Sequence, residues 1–185
     1  VYFHRVTRVT EVMLSRAVER SSDQMPDSVD LQRRVDAEIW EALGNSSDYA
    51  RDMIRRLKYR QLLKVCASRR REELSEEQVE QLFELANNAD SRRQFEDDMA
   101  HRAGLPPGYV AVDFPDAKLL LAEPRMSQVD VRIVGDDGRT RWFHEHTPIA
   151  EALRTRQVSQ SAVYVITLPG HESTVAQLAE RHLFG

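Results

Sequence analysis

The sequence predicts a mainly α-helical protein with a C-terminal α+β part. Three observations support this prediction. Apolar residues recur at helical spacing through the N-terminal half, Gly104 and the Pro106–Pro107 pair then interrupt that pattern, and short β-rich runs follow. We therefore expect a helical region over residues 1–104 and a small α+β region over residues 105–185.

The first two helices are predicted from their apolar stripes and end signals. Helix one is expected to run from Val1 to about Ser22, because its apolar residues recur at steps of three and four. That stripe consists of Val6, Val9, Met13 and Ala17. Helix two is expected to begin at Asp30 and to stop at Gly44, since glycine commonly ends a helix.

A third helix is predicted over the most basic part of the chain. Ser46 or Ser47 is the expected N-cap, and the helix is expected to continue to Arg71. In such a helix three cations lie at successive i, i+4 positions and form one ridge. They are Arg56, Arg60 and Lys64.

Capping signals predict the next helices. The Ser75–Gln78 and Ser91–Gln94 pairs are capping boxes, so they predict the starts of helices four and five. A short strand is predicted over residues 109–114. Thr147 before Pro148 predicts the start of a further short helix, IAEALRT.

The remaining elements complete the α+β region. Residues 129–134 and 139–143 flank Asp137–Gly138, a two-residue turn signal, and therefore predict a β-hairpin. The run at 162–168 is apolar on both faces, which predicts a central strand covered on both sides. A last helix is expected from Glu172 to Leu183.

Charge is unevenly distributed, although the net charge is only −4. Residues 51–71 contain nine Lys and Arg against one acidic residue, and residues 72–99 contain ten acidic against two basic residues. Either two neighbouring helices neutralise each other, or the basic helix faces a polyanion. Both interpretations stay open at the level of sequence.

Composition excludes several classes of protein. No apolar run approaches the roughly 18 residues of a membrane span, so no membrane association is expected. Cys66 is the single cysteine, which excludes an intramolecular disulfide and fits a cytoplasmic protein. There is no glycine-rich phosphate loop, no CxxC and no HExxH. His144–Glu145–His146 is the densest histidine group, and we interpret it as a polar strand end rather than a metal site.

An ordered set of motifs resembles a known family. Tyr2-x-His4-Arg5, then Tyr59-Arg60-x-x-x-Lys64, then the hairpin and the AVYVITLPG run resemble the C-terminal region of HD-domain phosphohydrolases. Within that group the chain resembles the deoxynucleoside triphosphate triphosphohydrolases, including the vertebrate enzyme that joins a SAM domain to an HD domain. The resemblance covers essentially the whole chain and implies the C-terminal half of a helical HD-type domain followed by a small mixed sheet and helix unit.

The resemblance implies a metal-dependent hydrolase that acts on nucleotides in the cytoplasm. In that family His…His-Asp…Asp ligands hold a divalent ion (Mg, Mn, Fe or Zn) that activates water at a phosphate. This chain contains no His-Asp pair, so its metal ligands are expected outside it. Because the chain begins on Val1, inside an apparent helix, we expect a fragment that is inactive by itself.

The resemblance also implies roles for five residues. Tyr2 matches the tyrosine that lies against the nucleotide sugar at the rim of the substrate pocket. His4 and Arg5 match positions that contribute, in the vertebrate relative, to a regulatory nucleotide site between subunits. Arg60 and Lys64 match the basic pair that binds nucleotide phosphates there. A homo-oligomer is therefore expected, with nucleotides as its ligands.

Simpler roles are equally consistent with the residues themselves. Tyr2 can be a core residue, His4 a surface residue, and Arg60 the partner of a nearby acidic helix. A second functional hypothesis is a non-catalytic module that binds nucleotides or single-stranded nucleic acid, or mediates oligomerisation, through the basic helix 51–71.

Overall fold

The computed structural model describes residues 5–24, 30, 33–114, 132–134, 138, 140–142 and 161–185. These ranges contain six α-helices, a three-stranded antiparallel sheet and a two-stranded hairpin. The mainly helical fold class with a small C-terminal sheet is therefore confirmed.

The bounds of the elements follow the chain. The helices are α1 (Arg5–Glu19), α2 (Asp36–Ser46), α3 (Asp48–Lys58), α4 (Glu76–Asn87), α5 (Ala89–Arg102) and α6 (Glu172–His182). The strands are β1 (Lys64–Arg70), β2 (Val110–Asp113), β3 (Arg132–Val134), β4 (Thr140–Trp142) and β5 (Ser161–Thr167). Short 3-10 turns follow α1 at Ser22–Gln24 and β1 at Arg71–Glu73.

The central sheet has the order β1-β5-β2, and β5 is antiparallel to both neighbours. Successive side chains of β5 enter two different cores. Val163 and Val165 pack with α4, α5 and α6, while Tyr164 and Ile166 pack with α1 and α3. The predicted central strand with two apolar faces is therefore confirmed.

Helix α1 packs as its sequence pattern predicts over most of its length. Val9, Met13 and Ala17 are buried against Ala50 and Met53 of α3. Val6 continues the same stripe but is exposed. Side-chain burial thus fixes which face of α1 meets α3.

The prediction of a third helix that continues to Arg71 was wrong. The helix α3 ends at Lys58, and the chain then enters β1, which pairs with β5 along its whole length. The apolar residues between Leu62 and Ala67 fit either a helix or a half-buried strand. Pairing with a strand about a hundred residues away decides the outcome, and local pattern does not contain that contact.

Further helix boundaries also differ from the prediction. Helix α2 begins at Asp36, whereas helix two was predicted to begin at Asp30. Gly44 lies inside α2, which continues to Ser46, and the helix α5 begins after an Asn88 cap rather than at Ser91. The Asn88 side chain accepts hydrogen bonds from two backbone N–H groups of the first turn of α5. The caps on Ser47 and Ser75 are confirmed by bonds from Ala50 N and Gln78 N.

The other C-terminal predictions are confirmed wherever the structure describes them. Strands β3 and β4 form an antiparallel hairpin, in which Val134 pairs with Thr140, and Gly138 has a positive φ of 70°. The final helix is α6. The helix predicted after Thr147 and the His144–His146 group lie outside the described residues.

A buried ion pair connects α1 to the sheet. The Arg16 guanidinium donates to both carboxylate oxygens of Glu96, at 2.7 and 3.1 Å, and Glu96 is 0% exposed. Arg16 also donates to the Val112 carbonyl, and the Val112 N–H donates to Glu96. The pair therefore provides hydrogen-bond partners for the N–H and the carbonyl of Val112 at the outer edge of β2. Burial raises the pKa of Glu96, and the bonds from Arg16 and the Val112 N–H oppose that rise.

A second cluster connects α3 to the segment before β2. The Tyr49 hydroxyl donates to the Gly108 carbonyl at 2.9 Å, and the Tyr109 hydroxyl donates to Asp52 at 2.8 Å. The two rings meet edge to face, with centroids 5.5 Å apart. Burial opposes ionisation of Asp52, but hydrogen bonds from Arg56 and Tyr109 outweigh it and lower the pKa of this carboxyl.

Candidate functional site

The segment between α3 and β1 carries both of the predicted phosphate-binding residues. Arg60 N donates to Leu57 O at 3.3 Å and Gln61 N donates to Arg56 O at 2.8 Å, which together form a Schellman motif. Arg60 takes the position of the motif that needs a left-handed backbone, with φ 55°. It is the single non-glycine residue with positive φ in the described part of the chain.

The same motif ends α5, with a different residue at the left-handed position. Gly104 N donates to His101 O and Leu105 N donates to Ala100 O, and Gly104 has φ 70°. Glycine adopts this conformation without cost, whereas a residue with a Cβ atom loses roughly 1–2 kcal/mol there. An arginine at this position after α3 therefore lowers the stability of the fold, which points to a role for its side chain.

Replacing Arg60 with glycine is expected to stabilise the protein. The substitution removes the strained backbone, so the free energy of unfolding should rise by about 0.5–1 kcal/mol in urea denaturation. The matched control is Gln61→Gly, outside the left-handed position, which should lower stability or leave it unchanged. Equal effects of the two substitutions would contradict the strain at Arg60.

One residue of the turn is anchored in the core, and the side chains around it are exposed. Leu63 is 3% exposed and packs in the core beneath α1 and α3. Lys58, Arg60 and Lys64 are exposed, and the Tyr59 ring is 63% exposed. The Lys58 ammonium lies 5.8 Å from the centre of that ring. We call Lys58, Tyr59, Arg60 and Lys64 the cationic turn.

Most of the basic stretch is neutralised by neighbouring carboxylates. Of its nine cations six form ion pairs, and the partners are close in sequence except for Glu180. The pairs are Arg51–Asp48, Arg55–Asp52, Arg56–Asp52, Arg69–Glu180, Arg70–Glu72, Arg70–Glu73 and Arg71–Glu76. Neutralisation is therefore confirmed at the two ends of the stretch, and the expected polyanion partner stays a prediction for its middle.

The three remaining cations belong to the cationic turn. Lys58, Arg60 and Lys64 have no carboxylate partner among the residues that the structure describes. They lie within seven residues of chain, a segment that also carries the exposed Tyr59 ring. This arrangement concentrates positive charge at one end of α3.

The predicted residue Arg5 lies at the same end of the molecule. Helices α1 and α3 are antiparallel, since Ser21 Oγ lies 3.2 Å from Ser47 Oγ and Arg20 lies over the Tyr49 ring. The start of α1, with the exposed Arg5, therefore points toward the end of α3. Tyr2 and His4 lie outside the described residues, so their predicted roles stay predictions.

The predicted helical spacing of Arg60 and Lys64 was wrong. Arg60 lies in the turn and Lys64 begins β1, so the two side chains do not share a helix face and the predicted ridge with Arg56 does not exist. Arg56 instead pairs with Asp52 at 2.6 Å. Arg60 and Lys64 are close along the chain, with three residues between them.

A comparison with protein families gives a match along nearly the whole chain. Residues 1–184 match the family described as HD associated region. The chain belongs to this family. No significant match was found among curated proteins or among solved structures. Membership in the HD associated region family confirms the predicted link to HD-domain proteins.

The described part of this HD associated region offers no metal centre. It contains no group of three His, Cys, Asp or Glu side chains that can hold a metal ion. Because the residues present do not fit a divalent ion, we derive no catalytic step through one. None of the described helices is long and apolar enough to cross a membrane.

A cleft of about 310 Å³ elsewhere in the HD associated region is also rich in arginine. Arg8, Arg16 and Arg92 line it, but each donates to a carboxylate within hydrogen-bonding distance. Arg8 bonds Asp113, while Arg16 and Arg92 share Glu19. These cations connect α1 to α5 and β2, and we assign them a structural role.

Sequence reasoning missed part of the cationic turn. Lys58 and Tyr59 were not among the predicted site residues of this HD associated region, because a helix to Arg71 places them within an ordinary surface face. The Tyr59-Arg60 pair stood inside the recognised motif. The available signal was the tyrosine itself, a large aromatic between two cations.

Proposed function

We propose that this chain is the C-terminal part of an HD-type, metal-dependent phosphohydrolase that acts on deoxynucleoside triphosphates, and that the cationic turn binds nucleotide phosphate. Membership in the HD associated region family supports the link to an HD domain. The observation that carries the phosphate-binding role is the set of three exposed, unneutralised cations at the end of α3.

The geometry of the turn suits one phosphate group or two adjacent ones. Lys64 lies four positions after Arg60, so their Cα atoms are at most about 14 Å apart, within joint reach of two long side chains. A guanidinium offers a planar fork to phosphate oxygens and an ammonium offers a point charge. Arg5 at the adjacent start of α1 would add a third contact.

The HD domain would supply the chemistry. A divalent ion there would lower the pKa of bound water and polarise a phosphoryl oxygen, with ligands that do not belong to the described residues. This chain's own contribution is then to bind and orient phosphate, and self-association is part of the proposal.

The phosphate-binding role is tested by calorimetry of dGTP and dATP binding to the chain. Arg60→Ala and Lys64→Ala should each weaken binding by roughly 10- to 100-fold, the cost of one charge-assisted hydrogen bond. The control is Arg51→Ala, which removes an exposed cation of α3 that already pairs with Asp48. Unchanged affinity in both test variants would overturn the role of the turn.

The catalytic part is tested on the full-length protein with its HD domain. Incubation with Mn²⁺ or Mg²⁺ and a panel of dNTPs should release triphosphate or phosphate. Release from none of them would contradict the hydrolase proposal. Nucleotide binding without hydrolysis would instead assign the non-catalytic binding module, and light scattering with and without dNTP measures the oligomeric state.

A further inference from the structure

We propose that Asp113 is a positioning residue, which holds the first turn of α1, and with it Arg5, in place for the proposed nucleotide site. This role rests on the proposed function, in which Arg5 adds a phosphate contact beside the cationic turn. Asp113 acts through α1 and does not itself touch the nucleotide. The starting observation is an ion pair with two hydrogen bonds between Arg8 of α1 and Asp113 at the end of β2.

The first turn of α1 is only weakly stabilised by its own residues. It contains two arginines, Arg5 and Arg8, and no acidic residue. The N-terminal end of a helix carries partial positive charge, so cations there are unfavourable. Packing compensates little, because Val6 is 51% exposed and the first buried residue of α1 is Val9. Helix ends with few buried contacts fray, so this turn depends on a contact from outside the helix.

Asp113 provides that contact. Arg8 Nε donates to one carboxylate oxygen at 2.9 Å and Arg8 Nη2 donates to the other at 2.5 Å. Two parallel bonds fix the direction of the guanidinium as well as its distance. The side chains of Arg8 and Asp113 are 18% and 7% exposed, so water competes little for these bonds. Glu11 also accepts from Arg8, but it lies on α1 itself and cannot fix the helix against the sheet.

Asp113 is itself held in place by the central sheet. It is the last residue of β2 and pairs with Tyr164 of β5, which is 6% exposed and packs in the core with α1 and α3. The ion pair therefore ties the first turn of α1 to the sheet. Arg5 lies three residues before Arg8, on the same turn of the helix. The direction of the Arg5 side chain therefore depends on the bond between Arg8 and Asp113.

Calorimetry of dGTP binding to the full chain tests the positioning role. Asp113→Asn keeps the shape of the side chain but removes its charge and one acceptor. It should weaken binding by roughly 3- to 10-fold, less than the complete loss of one charged contact. Arg8→Gln removes the same ion pair from the helix side and should reproduce this effect. The matched control is Glu11→Gln, which alters the exposed partner of Arg8 and should leave the affinity unchanged.

Double variants separate positioning from a general loss of stability. If Asp113 acts through Arg5, then Asp113→Asn should have no further effect on dGTP affinity once Arg5 is replaced with alanine. In a Lys64→Ala background it should keep its full effect, because Lys64 belongs to β1 and does not depend on α1. A general loss of stability weakens binding equally in both backgrounds, and that result would overturn the positioning role.

Hydrogen exchange without nucleotide distinguishes this role from the proposed function. The amides of residues 9–12 donate to the carbonyls of the first turn of α1, so they should exchange roughly 10-fold faster in Asp113→Asn and not in Glu11→Gln. If the parent chain does not bind dGTP, the nucleotide site fails, and faster exchange still supports the hold of Asp113 on α1, whereas unchanged exchange overturns it. If parent and Asp113→Asn bind dGTP equally, the nucleotide site stands and the positioning role fails.

Discussion

Replacement of Glu96 with alanine is expected to lower the free energy of unfolding by about 3–5 kcal/mol. The carboxylate is fully buried and receives two bonds from Arg16 and one from the Val112 N–H. Its removal leaves a buried guanidinium without its main counter-ion and an unpaired backbone donor at the edge of β2. Either consequence is costly in an apolar interior.

Urea denaturation of the purified chain measures this loss. The control is Glu11→Ala, which removes a carboxylate that is 49% exposed and pairs with Arg8 on the surface of α1. Such pairs contribute little, so this variant should differ from the parent by less than about 0.5 kcal/mol. Similar losses in both variants would show that Glu96 acts only as a surface charge does.

Replacement of Gly108 with alanine is expected to lower the free energy of unfolding by about 2–4 kcal/mol. Gly108 has φ 88°, and a Cβ atom there would lie 2.6 Å from the Tyr49 ring and 2.8 Å from Arg20 Nε. The ring has little freedom to move, since it bonds the Gly108 carbonyl and meets Tyr109 edge to face. The losses of stability from backbone strain and from steric overlap therefore add.

Gly104→Ala is the matched control for this prediction. Gly104 has a similar φ of 70°, but a Cβ atom there would meet no other atom within 4 Å. The control should therefore lose only the backbone part, about 1 kcal/mol. The difference in thermal or urea midpoint between the two variants isolates the overlap with Tyr49. Equal losses would mean that the ring moves aside freely.

The fold was predictable wherever local pattern and burial agree. The β5 run is apolar at every position from Ala162 to Ile166, and a strand covered on both sides is the expected structure for such a run. The apolar stripe of α1 and the Ser75 N-cap could be predicted from the sequence for the same reason. Strand β1 could not be predicted in this way, because Lys64–Arg70 forms a strand by pairing with β5, which is distant in sequence.

The sequence named candidate site residues, whose phosphate-binding role stays a prediction, but it did not give their geometry. Motif resemblance named Arg60 and Lys64, and the structure shows both exposed and without carboxylate partners in its described part. Their helical spacing was wrong because the end of α3 depends on Arg60 entering the left-handed region, which sequence statistics assign to glycine. The buried Arg16–Glu96 pair was also unreadable, since two charged residues 80 positions apart give no local signal of burial.

The central position of β5 has a consequence for biosynthesis. Both β1 and β2 pair with β5, and in the described structure neither pairs with the other. The sheet therefore has no native hydrogen-bonded strand pair until residues 161–167 have left the ribosome. Until then two strands and the apolar faces of four helices (α1, α3, α4 and α5) lack their shared partner β5 and are exposed to chaperones and proteases. Contacts of such long sequence separation also slow folding after release.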